Sequence, residues 1–261
     1  MLSVSSTPGP DVDFSSHAEE FVEHYESVRG QVRLALLHEQ VSGQLSAASR
    51  VLDVGGGAGH LAARLATDGH RVIVLEPSSE MRKRAEDVVG TDASRLHFQA
   101  GNAASVPDRD DAATFDAVVC HAVAPYVEEL DRLVVDIAAA VRPEGVLSVV
   151  VKNRDALAMR PALEGRWSDV PDAVDADGDA GGLGVRNKAH TLRQVCDALN
   201  LADCDIVEWY GIRVVSDVLP YEASIDVGEV LAAERALTGR DPYRALGRLL
   251  HVVGRRRSEA S

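Results

Sequence analysis

Cysteine is scarce in this 261-residue chain. Cys120, Cys196 and Cys204 are odd in number and none stands in Cys-x-x-Cys spacing, which argues against a disulfide framework or a zinc site and points to a reducing compartment. Lysine is equally scarce, at Lys83, Lys152 and Lys188, so nearly all of the 27 bases are arginine. They face 41 acids, for a net charge of -14. A surface that acidic repels phosphate unless bases are gathered locally, so a nucleic-acid partner has to meet a patch and not the average field. Long apolar runs are missing too: none approaches the roughly 20 residues of a membrane helix. The start carries Pro8, Pro10, Asp11 and Asp13 in place of a basic and then apolar leader, which excludes a secretory signal. A soluble cytoplasmic protein with no membrane partner and no bound metal is expected. No internal repeat is visible, nor any recognisable pairing of base and nucleophile.

What is present is enough apolar sequence, 46%, for one large α/β core with elaborations. A flexible tail is expected over residues 1–15 and a single domain over 16–257. Helical spacing runs from Phe21 to Val41, broken near Gly30, so two helices precede the core. Strand and helix then alternate. Strands are expected at Val51 to Val54, Val72 to Leu75, Leu96 to Gln99, Ala117 to Cys120 and Val146 to Val151. Helices are expected to about Asp68, over Ser78 to Val89 and over Leu130 to Val141, with Arg142-Pro143-Glu144-Gly145 stopping the last. Strands apolar on both faces specify a parallel sheet sandwiched by helices. The pattern fails over 154–186, where Asp172 to Leu183 is rich in Asp, Ala and Gly, and an inserted loop or lid is expected there. A helix at Leu192 to Leu199, a strand at Ile206 to Val215, a helical insert within about 216–245 and a final strand at Leu249 to Gly254 complete a seven-stranded, mostly parallel, Rossmann-like sheet whose last strand runs antiparallel.

The most informative segment is Arg50-Val-Leu-Asp-Val-Gly-Gly-Gly-Ala-Gly-His60. A short strand can feed a helix starting near Ala58 only through a tight turn, and glycine permits positive φ and close approach of a ligand to the backbone. Glu76, roughly 20 residues on, ends the next strand, where an acid meets a ribose diol. Gly55, Gly56, Gly57 and Gly59 fit Gly-x-Gly-x-Gly, whereas a dinucleotide fingerprint needs glycine at His60. The pattern favours S-adenosylmethionine over NAD. Asp53 either accepts from turn amides or faces the cofactor's ammonium. Pro77 and Met81 follow Glu76, and Met81 either flanks adenine or packs in the core. Asn102, with Ala103 and Ala104, offers an amide and free N–H groups suited to an adenine edge.

With these motifs and Arg-Pro-Glu-Gly, the core resembles the class I S-adenosylmethionine-dependent methyltransferases. Flanking segments narrow the likeness. Arg29-Gly30-Gln31-Val32-Arg33, His121-Ala122-Val123, Gly211-Ile212-Arg213-Val214, and Tyr243 followed by Gly247-Arg248-Leu249-Leu250-His251-Val252 are similar to the tRNA 5-carboxymethoxyuridine methyltransferase family over residues 20 to 256. The resemblance implies methyl esterification of a carboxymethoxy group on the wobble uridine of a tRNA anticodon loop. Arg213 would hold the carboxylate, with Arg248 as the next candidate and Tyr126 or His251 beside the base. Arg33 would pair with the cofactor's carboxylate, or else is a surface arginine, and His121 would line the pocket, or else is a satisfied core histidine. Arg213, Arg248 and His251 are placed on apolar strands as either outward side chains or pocket groups. A tRNA would meet a basic face of Arg154, Arg160, Arg166, Arg244, Arg248 and Arg255-Arg256-Arg257. Two alternatives stand beside this: a methyltransferase of a small carboxylic or phenolic metabolite, and a non-catalytic S-adenosylmethionine-binding module.

Overall fold

The computed structural model describes residues 25–89, 94–121, 123–179, 187–220 and 223–258. The expected tail over 1–15, and most of the first expected helix, lie outside these. Helix α1 is Val28–Ser42. It starts where the Ser27 side chain accepts from the Gly30 N–H at 3.1 Å, so the break falls at the cap and the helix runs through Gly30. The sheet comprises β1 (Arg50–Val54), β2 (Arg71–Leu75), β3 (Leu96–Gln99), β4 (Phe115–His121), β5 (Val141–Lys152), β6 (Cys204–Ile212) and β7 (Leu249–Arg256), in the order β3-β2-β1-β4-β5-β7-β6. All run parallel except β7, which pairs antiparallel with both β5 and β6. Helices α2 (His60–Thr67), α3 (Ser79–Val89), α4 (Leu130–Ala138), α5 (Leu192–Leu201) and α6 (Val227–Leu237) connect or cover the strands.

The apolar strand residues separate two buried layers. One packs Leu52, Val118, Leu147 and Val149 against Leu133, Val134 and Ile137 of α4 and Val195 of α5. The other sets Val51, Val72 and Val119 against Leu61 and Leu65 of α2. A third, smaller cluster seats Val28, Val32 and Leu36 of α1 on Val150 and Ile212. The chain winds from β1 outward to β3 and then returns to β4 on the other side of β1. Ligands bind such sheets outside the carboxyl ends of the strands at this switch point.

Three expectations are corrected. Helix α4 ends at Ala138, and Val141 already pairs with Phe115, so Arg142 to Gly145 lies within the start of β5 and does not stop the helix. The stretch after Asn153 contains short helices at Met159–Leu163 and Val170–Asp175 and a two-residue pairing of Gly178–Asp179 with Asn187–Lys188, so its described part is not an irregular loop. Strand β6 ends at Ile212, leaving Arg213 beyond it with a left-handed φ of 58°. Among the described residues, no helix is long and apolar enough to cross a membrane.

Candidate active site

A cleft of about 1130 Å³, counting the space open to solvent at its mouth, lies at the carboxyl ends of β1, β2 and β4. Its floor is the glycine turn. Gly57 adopts φ +58° and its N–H donates to Glu76 Oε2 at 3.1 Å, while the Ser78 N–H donates to Oε1 at 2.9 Å. A carboxylate carries about four acceptor positions, so Glu76 positions the turn and retains capacity for a diol. Burial raises its pKa, opposed by those two amides and by Arg82. Asp53, fully enclosed beneath the turn, is lifted further, to about 7, by burial first and the charge of Glu76 second. A Cβ on Gly56 would stand 2.5 Å from Asp53 Oδ2, so no other residue lets the turn pass over this carboxyl.

Arg33, Asp53, Gly55, Gly56, Gly57, Glu76, Pro77, Met81, Asn102, Ala103, His121 and Tyr126 all line the cleft. Gly59 and Ala104 are not among its walls. Gly59, at φ +80°, starts α2, and a Cβ there would press on Phe98 at 2.6 Å, so its place in the fold is helix entry and packing; Ala104 faces solvent. Asn102 stands at the exposed rim, its N–H donating to Ser105 Oγ at 3.1 Å. Tyr126, on a short turn at Ala124–Tyr126, is held above its ordinary pKa by burial, opposed by Arg33. Arg33 is buried and its Nε has no partner. A buried cation with an unused donor beside a cleft is fitted to an anionic end of a ligand. Together with the acceptors on Glu76 and Asp53, this donor set suits a nucleoside carrying a zwitterionic tail. Among the described residues, no group of His, Cys, Asp and Glu is placed to hold a metal ion.

Residues not singled out from the sequence complete the walls. Tyr25 lines the cleft and stacks on His60, the first residue of α2, with ring centroids 4.1 Å apart. Leu34 and Leu37 of α1 supply the apolar side. Their helical spacing was visible in sequence, but not which helix face meets the sheet edge.

His251 does not reach the cleft. It lies fully buried inside β7, in a chain of hydrogen bonds that ends at His121. Gln40 Nε2 donates to Thr238 Oγ1 at 3.1 Å, and Thr238 Oγ1 donates to the Gly211 carbonyl at 2.7 Å. Gln40 Oε1 therefore accepts from His251 Nδ1 at 2.7 Å. His251 Nε2 is then the acceptor for Ser148 Oγ at 2.7 Å, and Ser148 Oγ accepts from His121 Nε2 at 2.8 Å. This leaves His121 Nδ1 as a buried lone pair without a partner. Burial holds His251 down at about 3, and burial, with the charges of His251 and Arg33, holds His121 well below its ordinary value. Both rings are neutral at pH 7, so the directionality persists.

Arg213 and Arg248 also stand apart from the cleft walls. Arg213 is buried and ion-paired with Asp217, and Arg248, immediately before β7, pairs with Asp179 and lies 3.8 Å from Asp217. Neither sits on a strand as expected, and both already face a carboxylate of the chain itself. Arg213 borders a smaller pocket with Arg248, Asp217, Met159, Leu163 and Leu246. The expected basic face is likewise engaged. Arg160 and Arg166 pair with Glu164, Arg244 pairs with Asp241 and Glu208, and Arg257 pairs with Asp205. Arg154 donates to the Ala176 carbonyl, Arg255 to that of Glu144 and Arg256 to that of Ala138.

Residues 52–149 match the family described as a methyltransferase domain. The chain is 28% identical over 272 aligned positions to the tRNA 5-carboxymethoxyuridine methyltransferase of Escherichia coli strain K12, with 94% of this chain and 97% of that one covered. A Haloferax volcanii methyltransferase, solved in complex with the Trm112 methyltransferase activator, superposes with a TM-score of 0.62 at 19% identity, covering 97% of this chain and all of the other. A Burkholderia thailandensis 1,6-didemethyltoxoflavin-N1-methyltransferase, solved with its substrate and S-adenosylhomocysteine, gives 0.54 at 17% identity, covering 97% and 93%. The structural likenesses show the shared fold.

Proposed function

We propose that this chain, an S-adenosylmethionine-dependent methyltransferase with a class I Rossmann-like core, methyl-esterifies the carboxylate of 5-carboxymethoxyuridine at the wobble position of tRNA. The observation that carries this reading is the extent of the likeness to the Escherichia coli tRNA enzyme. It spans 94% of this chain and so includes α1, the segment after Asn153 and the strands beyond residue 149, all outside the methyltransferase domain itself.

The bound cofactor supplies an electrophilic methyl on a sulfonium. A carboxylate is ionised at pH 7, so its oxygen would take the methyl as the C–S bond broke, the electron pair staying on sulfur, with no proton for the protein to move. The residues therefore have to position, not deprotonate, and alignment of reacting atoms at about 3–3.5 Å can supply several kcal/mol. Glu76 would take the ribose hydroxyls, Arg33 the cofactor's carboxylate, and Asp53 the positive charge of the amino-acid end. Asn102 and Ala103 would meet the adenine edge, and Pro77 and Met81 would flank it. His121 closes the cleft toward β5, and Tyr126 stands at the acceptor's entrance. Arg213 and Arg248, which border the smaller pocket, would receive the acceptor's planar carboxylate in the fork geometry arginine offers.

A specific observation favours a second reading, methylation of a small carboxylic acid. The arginines expected to meet phosphate are paired with acids or with backbone carbonyls. Exposed pairs are worth only about 0–1 kcal/mol each, so a phosphate backbone can exchange into them. Incubation of the protein with methyl-labelled cofactor and tRNA bearing 5-carboxymethoxyuridine, followed by nucleoside mass spectrometry, should yield the methyl ester nucleoside. Transfer to small carboxylates with none to tRNA would replace the first reading by the second.

A further inference from the structure

The cofactor cleft has a neighbour whose charge does not balance. Lys152 is the last residue of β5. Side chains alternate along a strand, so it shares a face with Val150, which packs under α1, and with Ser148, which binds His121. On α1, Arg29 and Arg33 stand one helical turn apart, and Arg29 donates to the Asp217 carbonyl at 2.9 Å. Arg213 and Arg248 arrive from the ends of β6 and β7. All five cations are buried; among the described residues, Lys152 and Arg248 are ion-paired with Asp179, and Arg213 and Arg248 with Asp217. Glu234, close in the chain fold, is committed elsewhere: it accepts from the N–H groups of Val214, Val215 and Ser216 and from Ser216 Oγ at 2.7–3.0 Å. Buried charges are stable only when paired. Arg213 bears the strain: burial, then the like charges of Arg33, Arg29 and Arg248 lower its pKa against the pull of Asp217. Among the described residues, Lys152, Arg213 and Arg248 share two carboxylates and Arg33 Nε has no partner, which leaves room for anions from outside. One is the tail of the cofactor, at Arg33.

The second place is marked by Asp179. Its side chain is 34% exposed, whereas those of Lys152 and Arg248, to which it is ion-paired, are 8% and 6% exposed. Asp179 thus stands between solvent and two buried cations. It belongs to the two-residue pairing of Gly178–Asp179 with Asn187–Lys188, outside the main sheet. The adjoining pocket has the two arginines buried and Leu163, Val215 and Leu246 exposed around them. That combination fits an acid group on a planar or apolar body.

We propose that Lys152, Arg213 and Arg248 form the site that holds the methyl acceptor's carboxylate, and that Asp179 occupies this site in the resting protein as a built-in stand-in which the acceptor displaces. Lys152 and Asp179 then set acceptor affinity: Lys152 adds a point charge to the two forks, and Asp179 competes for the same place. The inference rests on the carboxylate-methylating reading but not on the identity of the carboxylate, which a tRNA nucleoside and a free metabolite acid would both present. Competition by an internal group lowers apparent affinity by the fraction of molecules in which the site is open, so its removal raises affinity without new contacts.

The test uses the full chain saturated with S-adenosylhomocysteine. Calorimetry measures binding of 5-carboxymethoxyuridine, of benzoate and of uridine to the native protein and to Asp179→Asn and Lys152→Met, and the S-adenosylhomocysteine affinity of each variant reports that its fold is intact. Asp179→Asn should tighten at least one of the two carboxylates about fivefold or more, Lys152→Met should weaken it about tenfold, and uridine should respond to neither. Equal affinities across the three proteins, no binding of either carboxylate, or weaker binding in Asp179→Asn would overturn the stand-in. In parallel, KM is measured for tRNA bearing 5-carboxymethoxyuridine. If that tRNA is methylated with a KM that neither variant changes, the site is wrong and the tRNA reading stands. If benzoate responds as expected and tRNA is not methylated, the site stands and the tRNA reading fails.

Discussion

The cofactor cleft and the arginine chamber beside it lie on the same edge of the sheet and are built by opposite means. The cleft is made of backbone turns and apolar walls, with two carboxylates, Asp53 and Glu76, both pushed toward protonation by burial. Its charge is sparse and its contacts are local: Gly57 and Ser78 reach Glu76 across 19 and 2 residues. The chamber is made of long cationic side chains drawn from α1 and from the ends of β5, β6 and β7, met by Asp217 and Asp179, and its pairs bridge up to 188 residues. A site for a cofactor of constant shape can be written into one turn and one strand end. A site for a charged acceptor has to be assembled from several segments, since only packing brings enough like charges together out of water, and the resulting electrostatic cost favours a ligand of opposite sign.

The comparison breaks first at Asp217. Asp217→Asn leaves Arg213 and Arg248 buried without their shared carboxylate and should cost about 3–5 kcal/mol of stability, read by urea unfolding. Cofactor affinity in the folded protein should stay within about threefold. A variant as stable as the native chain would show that the chamber is not electrostatically strained.

Glu76→Ala is the converse. It should cost about 1.5–3 kcal/mol of S-adenosylhomocysteine binding by calorimetry while acceptor KM at saturating cofactor holds. Equal cofactor affinities would remove Glu76 from the site.

Asp53 sharpens the contrast through pH. Its carboxyl rises from 3.8 to about 7 in the fold, so the native state keeps a proton that the unfolded state has released. The stability this contributes is fully present below pH 3.8 and is lost as pH rises to about 7, with a slope of at most about 1.4 kcal/mol per pH unit. Unfolding curves of Asp53→Asn should lack that slope, and parallel profiles for the two proteins would contradict the assignment. Binding of the positively charged cofactor draws Asp53 into its ionised form, so calorimetry near pH 7 in buffers of different ionisation enthalpy should show proton release.

Ser148→Ala is the mildest change. It unlinks His251 from His121 and should lower stability by about 1 kcal/mol, with cofactor affinity altered less than threefold. A loss as large as that at Asp217 would mean the histidine chain holds the sheet edge together and does not merely orient His121.

What could be read from the residues alone was whatever repeats or turns over short distances. The alternation of apolar strands and helices yields the doubly wound sheet, and the glycine turn with Glu76 yields the floor of the cleft, because strand, turn and helix entry are contiguous and the next strand tip follows one helix later. Arg33, His121 and Tyr126, which line the cleft, had been singled out with the help of a family resemblance more than by any local rule. The antiparallel last strand followed from counting elements. Beyond these, tertiary structure decided. Arg213 was expected on a strand because Ile206 to Val215 is mostly apolar; in the fold, the chain turns left-handed at Arg213 while Glu234, 20 residues away, gathers the amides of Val214 to Ser216. His251 resembled a pocket group, but pairing with Val150 and Tyr210 buries it in the sheet. Lys152, Asp179, Ser148 and Gln40 carried no signal in sequence at all, since a lone lysine, aspartate, serine or glutamine acquires meaning only from the partner it meets. The direction of a hydrogen bond and the imbalance of a buried charge cluster are properties of such meetings. Local periodicity fixes which segments are strands and helices, whereas the dielectric and the partners of each side chain exist only once those segments have packed.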